Sequence, residues 1–421
     1  MKSCPPEYWI WLQTALGAGA RTDELIAYFG DPEKMYNAGS PEWRLSGLLT
    51  QRKIEKLKSF SPSQTKPVFD ECRKRGYKII TFDDDRFPER LKKFCDMPLV
   101  LYAFGDESAL SDEVSLAMVG TRNASTYGIE TAQKLSFSLA SAGATIVSGG
   151  ALGIDSEAHA GAMLANGRTV AVLGCGLSYN YLSENASLRR AIARHGCLVT
   201  EYQPQSPASR VSFPIRNRLI SGLTLGTVVV EAGIKSGSLI TADKALEQGK
   251  DLFAVPGDIV RSSFDGTNHL ISQGAKPVFS AADILCEYEY TYGGLIDFGK
   301  CQKRISEIPY VDYRHYKKRK EQTKEENGGK LSVTAAAPAK ENTKNQKPEN
   351  AEKTKEKKTI SLDGVSYEAK CIYELLSDGG LHIDDIALKS RLPMKTVLSA
   401  LTELELEGAV EQIQGKKYII K

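Results

Sequence analysis

The stretch from Val114 to Ala282 constrains this chain more than any other. It repeats one unit, in which a short β-branched and apolar run ends in Gly or a small polar residue and a helix-length segment follows. The runs are VSLAMVG (Val114 to Gly120), ATIVSGG (Ala144 to Gly150), TVAVLGCG (Thr169 to Gly176), CLVTE (Cys197 to Glu201), GTVVVEA (Gly226 to Ala232) and DLFAVPG (Asp251 to Gly257). Apolar runs that do not alternate with polar residues suit strands covered on both faces, and helical crossovers between them make the sheet mostly parallel. The pattern predicts an α/β fold built on an extended Rossmann-like sheet. Ligands of such sheets bind where the carboxyl ends of the strands open into loops. Here those ends carry Gly, Ser, Thr and Arg, residue types that suit phosphate.

A chain of 421 residues exceeds what one core organises. We expect a helical domain over 1–66 in the SAM or helix-hairpin-helix style, the sheet domain over 67–290, a basic linker over 291–360 and a winged-helix domain over 361–421. In the first, Tyr8, Trp9, Leu12 and Leu16 recur at helical spacing. That domain reads either as one that touches a DNA backbone or as a helical unit with no nucleic-acid role. Between Thr334 and Thr359 there is no aliphatic, aromatic, Met or Cys side chain except alanine, and such a run cannot bury enough surface to order itself. From Arg314 to Lys358 there are 14 Lys and Arg against 7 Glu, so the rest of the chain sums to about −4 although the whole is +3. Nucleic acid would therefore be attracted by local clusters and the linker rather than by a global field. After the linker, three helical segments and two short strands around GKK make the winged-helix pattern. Its presumed recognition helix, Met394 to Glu407, carries Lys395 against Glu403, Glu405 and Glu407, which favours a protein partner over the major groove.

Within the sheet domain, Gly120, Arg122 and Ser125 of MVGTRNASTYG form a strand-to-helix turn with the makings of a phosphate site: backbone N–H groups at a helix start and a planar guanidinium. SGGALGIDSEAH repeats the logic with Ser148, Gly149 and Gly150. His159, among alanines on the following segment, reads as a packing histidine more readily than as a base. The sharpest cluster is QSPASRVSFPIRNRLISG, where Arg210, Arg216 and Arg218 come without an acid and are interleaved with Phe213 and Asn217. Guanidiniums pair with phosphate and an aromatic face accepts a base; the alternative is internal ion pairing, with Glu201 and Glu231 as partners. Ser236, Gly237, Ser238 and Thr241 form a further cap region, bordered by Lys235 and Lys244. Ile259, Leu270 and Ile271 are either core or a subunit interface.

Other chemistries are poorly supplied. Gly174 and Gly176 begin a dinucleotide fingerprint, with Glu201 near the ribose position, but the third Gly is missing. KSGS is not a P-loop, because GxxxxGK[ST] is absent. Asp83 to Asp85 read as a solvated turn rather than a metal site, and the eight cysteines and five histidines lack ligand spacing. We expect reduced thiols, no cofactor, no metal, no signal peptide or membrane span, and a cytoplasmic protein.

Taken together, MVGTRNASTYG, SGGALGIDSEAH, AVLGCG, FPIRNRLISGL, VVEAGIKSGSLITADKALEQGK and AVPGDI followed by GTNHLISQGA resemble the DNA-processing protein A family (DprA/Smf), strongly over about Gly76 to Leu285. The resemblance implies a Rossmann-like domain that binds single-stranded DNA, works as a dimer and helps load the RecA recombinase during natural transformation. By motif it places Arg122, Ser148 to Gly150, Arg210, Phe213 and Arg216 to Arg218 at the DNA, and the dimer contact near GTNHLISQGA. RFPERL stands where the family has YPxxL, a change of one packing residue. The competing reading is a nucleotide hydrolase of the phosphoribohydrolase type with Glu231 as its acid; the Gly-rich turn that such enzymes carry before the glutamate is missing.

Overall fold

A computed structural model describes residues 4–181, 185–301, 305–311, 366–376, 379–390, 392, 394–406, 409–413 and 417–420. The chain divides into two units, Met1–Gly329 and Lys330–Lys421. The strands of the first are β1 (Lys78–Thr81), β2 (Val100–Gly105), β3 (Ser115–Val119), β4 (Thr145–Ser148), β5 (Thr169–Val172), β6 (Gly196–Thr200), β7 (Gly226–Val229), β8 (Asp251–Ala254) and β9 (Lys276–Pro277). They form one nine-stranded sheet in the order β1-β2-β6-β5-β4-β3-β7-β8-β9. All six apolar runs become strands, and β6 through β9 pair in parallel. β1 and β2 close one edge antiparallel. Starting at β3, the chain lays β4, β5 and β6 to one side and then crosses back to add β7, β8 and β9 on the other. The loops after β3 and β7 therefore part in opposite directions and open a crevice at the carboxyl ends of the strands.

The longer helices are α1 (Pro6–Leu16), α2 (Asp23–Phe29), α3 (Pro32–Leu45), α4 (Gln51–Ser59), α5 (Lys66–Arg75), α6 (Thr126–Ser141), α7 (Ile154–Leu164), α8 (Ala186–His195), α9 (Ser212–Gly222), α10 (Gly237–Glu247) and α11 (Asp265–Ser272), followed by the short helices Ala281–Leu285, Glu289–Tyr292 and Phe298–Cys301. Successive strand residues point to opposite faces. Ala117 and Val119 accordingly join one core with Leu219 and Ile220 of α9 and Ala242 of α10. Leu116 and Met118 join the other with Leu135 and Leu139 of α6 and Ala158 of α7. Both faces being covered is the reason the runs carry no polar alternation.

The expected domain limits shift at both ends of this unit. Trp9, Trp11 and Leu12 of α1 share a core with Val100 and Tyr102 of β2, so the first helices are built onto the sheet rather than set apart over 1–66. The Gln13 amide fastens the two: Nε2 donates to the Val100 and Glu201 carbonyls at 2.9 and 2.7 Å, and Oε1 accepts from the Leu99 and Val100 amides, each at 2.7 Å. Beyond 290, where the sequence suggests linker, Ile296 and Cys301 are buried against the α6 side. Val311 exchanges two hydrogen bonds with the Gln133 side chain, both at 2.8 Å. Ile296 and Cys301, with Phe298 and Ile305 packed partly against the same core, hold these residues to the body. The low-complexity run from Thr334 to Thr359 lies outside the described residues.

The second unit contains helices Tyr367–Leu376, Ile383–Ser390 and Met394–Leu406, with strands β10 (Leu381–His382), β11 (Val410–Ile413) and β12 (Lys417–Ile420). The strands pair antiparallel in the order β10-β12-β11, adding one short strand to the two expected. Ile372, Ile386, Val397, Leu401, Leu404 and Tyr418 form its core. On the acidic third helix, Glu403 is committed locally: its oxygens accept from the Ser366 amide at 2.8 Å and the Ser366 hydroxyl at 2.5 Å. Glu407 lies outside the described residues.

Candidate nucleic-acid interface

The loops at the carboxyl ends of the parallel strands enclose a cleft of about 690 Å³. The turn after β3 contributes Gly120 and Arg122, the α7 start Asp155, the loop after β5 Tyr181, the approach to α9 Arg210, α9 itself Phe213, Arg216 and Asn217, and the start of α10 Ser236 and Gly237. Three arginines thus face one aspartate. The Phe213 ring is the platform among them: the Arg122 guanidinium lies 5.2 Å from its centroid, that of Arg216 5.9 Å, and the Tyr181 ring packs against it at 5.1 Å. Arg122 and Arg210 are exposed, whereas Arg216 is buried and forms the floor. Arg216 donates to the Gly149 carbonyl at 2.8 Å and to the Val172 carbonyl, so the ends of β4 and β5 fix its direction. A Cβ at 149 would lie 2.7 Å from the terminal nitrogens of Arg216 and from Asp155 Oδ2, so a larger residue there would push these two side chains aside. Opposite, Ser236 caps α10 by accepting from the Ser238 amide, and Asn217 Nδ2 donates to the Gly237 carbonyl at 3.4 Å. A helix start beside a set of guanidiniums is a place for a phosphate.

Six residues expected at this site are not brought into the cleft. Arg218 turns away and pairs with Glu201 at 2.5 Å, with Asp96 3.6 Å off, so it serves internal ion pairing. Ser125 caps α6 and, with its own amide, holds Glu231 Oε2, at 2.8 and 3.0 Å. The anion at the start of α6 is therefore the protein's own carboxylate rather than a ligand. The Ser148 hydroxyl donates to the Met118 carbonyl at 2.6 Å, beneath the cleft floor. Gly149 and Gly150 line a narrow crevice behind Arg216 and Phe213 instead of the cleft. Lys244, two turns along α10, pairs with Glu247 at 2.5 Å. Of the expected interface residues, Leu270 is buried in the core and Ile271 packs partly against it, whereas Ile259 is 86% exposed. Sequence reasoning leaves Asp155, Ser209 and Tyr181 out of the site. The signal for Tyr181 is present, as an aromatic in a strand-end loop beside a Gly-rich turn.

The titratable groups here are tuned by burial. Asp155 accepts from the Gly149 and Ala151 amides at 3.1 and 3.3 Å. Burial raises its pKa, against the pull of the Arg216 charge. His159 is fully buried and its pKa is pushed down to about 3 by burial, with the Arg216 charge adding to the effect. Its Nδ1 lies 2.7 Å from Thr169 Oγ1, whose proton goes to the Ile146 carbonyl at 2.8 Å. Among the described residues no group of three or more His, Cys, Asp and Glu comes together to hold a metal. In the Asp83 turn, Asp83 accepts from the Cys4 amide and Thr81, and Asp84 pairs with Arg86. No helix among the described residues is long and apolar enough to cross a membrane.

Comparison with known proteins points to one family. Residues 78–289 match the family model described as DNA recombination-mediator protein A, and residues 356–416 match the DprA winged helix domain. The chain is 42% identical over 220 residues to the DNA processing protein DprA of Bacillus subtilis, covering 52% of this chain and 74% of that one. It is similar to the solved DNA processing protein A of Streptococcus pneumoniae at 32% identity and a TM-score of 0.58, over 68% of this chain and 99% of that one. A structure of the Helicobacter pylori DNA processing protein A, concerned with its single-stranded DNA binding mode, is 31% identical with a TM-score of 0.47, over 51% of this chain and 96% of that one.

Proposed function

This chain belongs to the DNA recombination-mediator protein A (DprA/Smf) family, and from that premise we propose that its cleft holds single-stranded DNA. The observation that carries the reading is the Phe213 ring set between Arg122, Arg216 and Tyr181 at the mouth of the switch-point cleft. Guanidiniums and the α10 start take phosphates, and the ring faces take bases, which are available for stacking only when the strand is single. We further propose that the bound strand is passed to a RecA-class recombinase in natural transformation, in a cytoplasmic protein that works as a dimer. For the dimer, the support is the exposed pair Ile259 and Val260, two apolar side chains at 86% and 88% exposure on one loop. No bond is broken on this reading. Asp155, the one carboxylate lining the cleft among the described residues, is already held by two amides, and Glu231, which a hydrolase would need, is turned to Ser125.

Fluorescence anisotropy of a labelled oligonucleotide, with a salt series and duplex competitor, tests the binding step. Phe213→Ala should cost about 1–3 kcal/mol for each base that no longer stacks on the platform. Arg122→Ala should reduce the log–log salt slope by about 0.7 for each phosphate that the side chain neutralises in the wild type. Arg218→Ala is the contrast: it strips a buried Glu201 of its partner and costs stability, about 3–5 kcal/mol, while the fraction that remains folded binds as before. Equal affinity in wild type, Arg122→Ala and Phe213→Ala would remove the cleft from the reading. Recombinase transfer is tested by filament assembly on strands precoated with a single-strand-binding protein, and the dimer by light scattering of Ile259→Glu.

A further inference from the structure

Beyond the turn formed by residues 177–181 lies a second groove of about 330 Å³, on the far side of the β5-to-α8 loop from the cleft. Arg75, Arg189 and Arg190 line it together with Tyr77, Phe104 and Tyr179, and among the described residues no acidic side chain does. The nearby Glu71 is occupied, pairing with Arg75 at 3.1 Å and accepting from the Ser178 hydroxyl at 2.7 Å. Tyr77 and Phe104 meet edge to face, with centroids 5.5 Å apart, which fixes a rigid apolar wall. Tyr179 is 38% exposed above it. Arg190 is exposed and has no ion-pair partner among the described residues, and α8 carries no acid along its whole length.

A narrow crevice lies between the groove and the cleft. The narrow crevice behind Arg216 shares Tyr181 and Phe213 with the cleft, and Arg189 and Leu173 with the groove. One turn serves both sites: the Tyr181 ring packs on Phe213, its carbonyl accepts from Arg189, and its amide donates to the Tyr179 carbonyl at 2.9 Å. Resting on the single-strand reading of the cleft, we propose that the strand does not end there but continues over residues 177–181 into this groove, with Tyr179 as a second stacking platform and Arg190 as a phosphate contact. Alternating guanidiniums and open aromatic faces fit a polyanion whose bases are unpaired, and a duplex would keep its bases out of reach of Tyr179.

Tyr179→Ala/Arg190→Ala tests this, since both side chains lie at the surface. Anisotropy is read with oligo-dT from about 4 to about 16 nucleotides, the span of known single-strand site sizes. The wild type should gain affinity with length past what the cleft holds. The double variant should match it on the shortest strands, fall about tenfold behind on the longest, and show a shallower salt slope only there. A variant indistinguishable from wild type at every length overturns the proposal, as does an equal loss at every length, which would mean that the residues act through the cleft. A wild type that binds short strands with no gain in length sinks this inference alone. Absence of binding at all lengths removes the cleft reading with it.

Discussion

His159 is neutral in the folded protein because both of its nitrogens are constrained. With the Thr169 proton committed to Ile146, Nδ1–H must donate to Thr169 Oγ1, which leaves Nε2 bare and without a hydrogen-bond partner among the described residues. Protonating Nε2 would bury a cation near the Arg216 charge, which is why its pKa falls from 6.5 to about 3. Between those two values the unfolded chain binds a proton that the folded one refuses. The stability contribution is therefore complete above pH 6.5 and is lost as pH falls toward 3, at up to about 1.4 kcal/mol per pH unit from this one group. Urea unfolding across that window should show the slope in wild type and a reduced slope in His159→Gln, whatever the absolute stability of the variant. An unchanged slope would assign the acid sensitivity to other groups. The packing role of His159 is legible from its alanine-rich surroundings. The split between Arg216 and Arg218 is not, although half of the reason is elementary. Two residues apart on a helix means about 200° of rotation, so only one of them can face the cleft. Which one does depends on Glu201, a residue on the preceding strand end, and this is a tertiary fact.

At the scale of elements, the loops entering α6 and α10 read alike in sequence, each a small-residue turn with a Ser cap before a helix, and each with the makings of a phosphate site. They differ in what faces the helix start. β7 lies beside β3 because the chain crosses the sheet, and Glu231 just beyond β7 reaches Ser125. Among the described residues none does the same for α10, whose start opens on the cleft. The crossover, which the local sequence does not encode, decides which helix remains available to an anion. Gly237 offers a test in which two effects take opposite signs. A Cβ there meets nothing within 4 Å, so a side chain fits. Gly237→Asp places a carboxylate in the first turn, where the helix dipole favours it by about 0.3–1 kcal/mol, and the thermal midpoint should hold or rise. The same charge faces the incoming phosphates, and single-strand affinity should drop, most at low salt where screening is weakest. Undiminished affinity would mean that the α10 start is not a phosphate contact.

The whole first unit depends on how its helical cap is joined to the sheet, and Gln13 is the joint most open to measurement. At the end of the β2–β6 ladder the strands separate, and the Gln13 amide bonds to backbone groups of both, as a further strand residue would. The Arg218–Glu201 pair lies at the same seam: a Cβ on Gly19, in the loop after α1, would lie 3.6 Å from Arg218 Nε. Shared backbone bonds and a shared core therefore make the cap and the sheet one cooperative unit, and Trp fluorescence can read it selectively. The chain has three tryptophans, Trp9, Trp11 and Trp43, and all are buried in the core that the first helices share with β2. Far-UV circular dichroism, by contrast, reports the whole chain. In a protein truncated at Gly329, the two signals should trace one urea transition, because the helices cannot leave without exposing Val100 and Tyr102. Gln13→Leu keeps the volume but leaves buried backbone groups unpaired, at about 1–3 kcal/mol each before relaxation. The tryptophan transition should then move to lower urea ahead of the dichroism, so that the cap melts first. Two separate transitions already present in the wild type would show instead that the first helices fold as the independent domain their own periodicity suggests, with the Gln13 hydrogen bonds an ornament on that boundary rather than its cause.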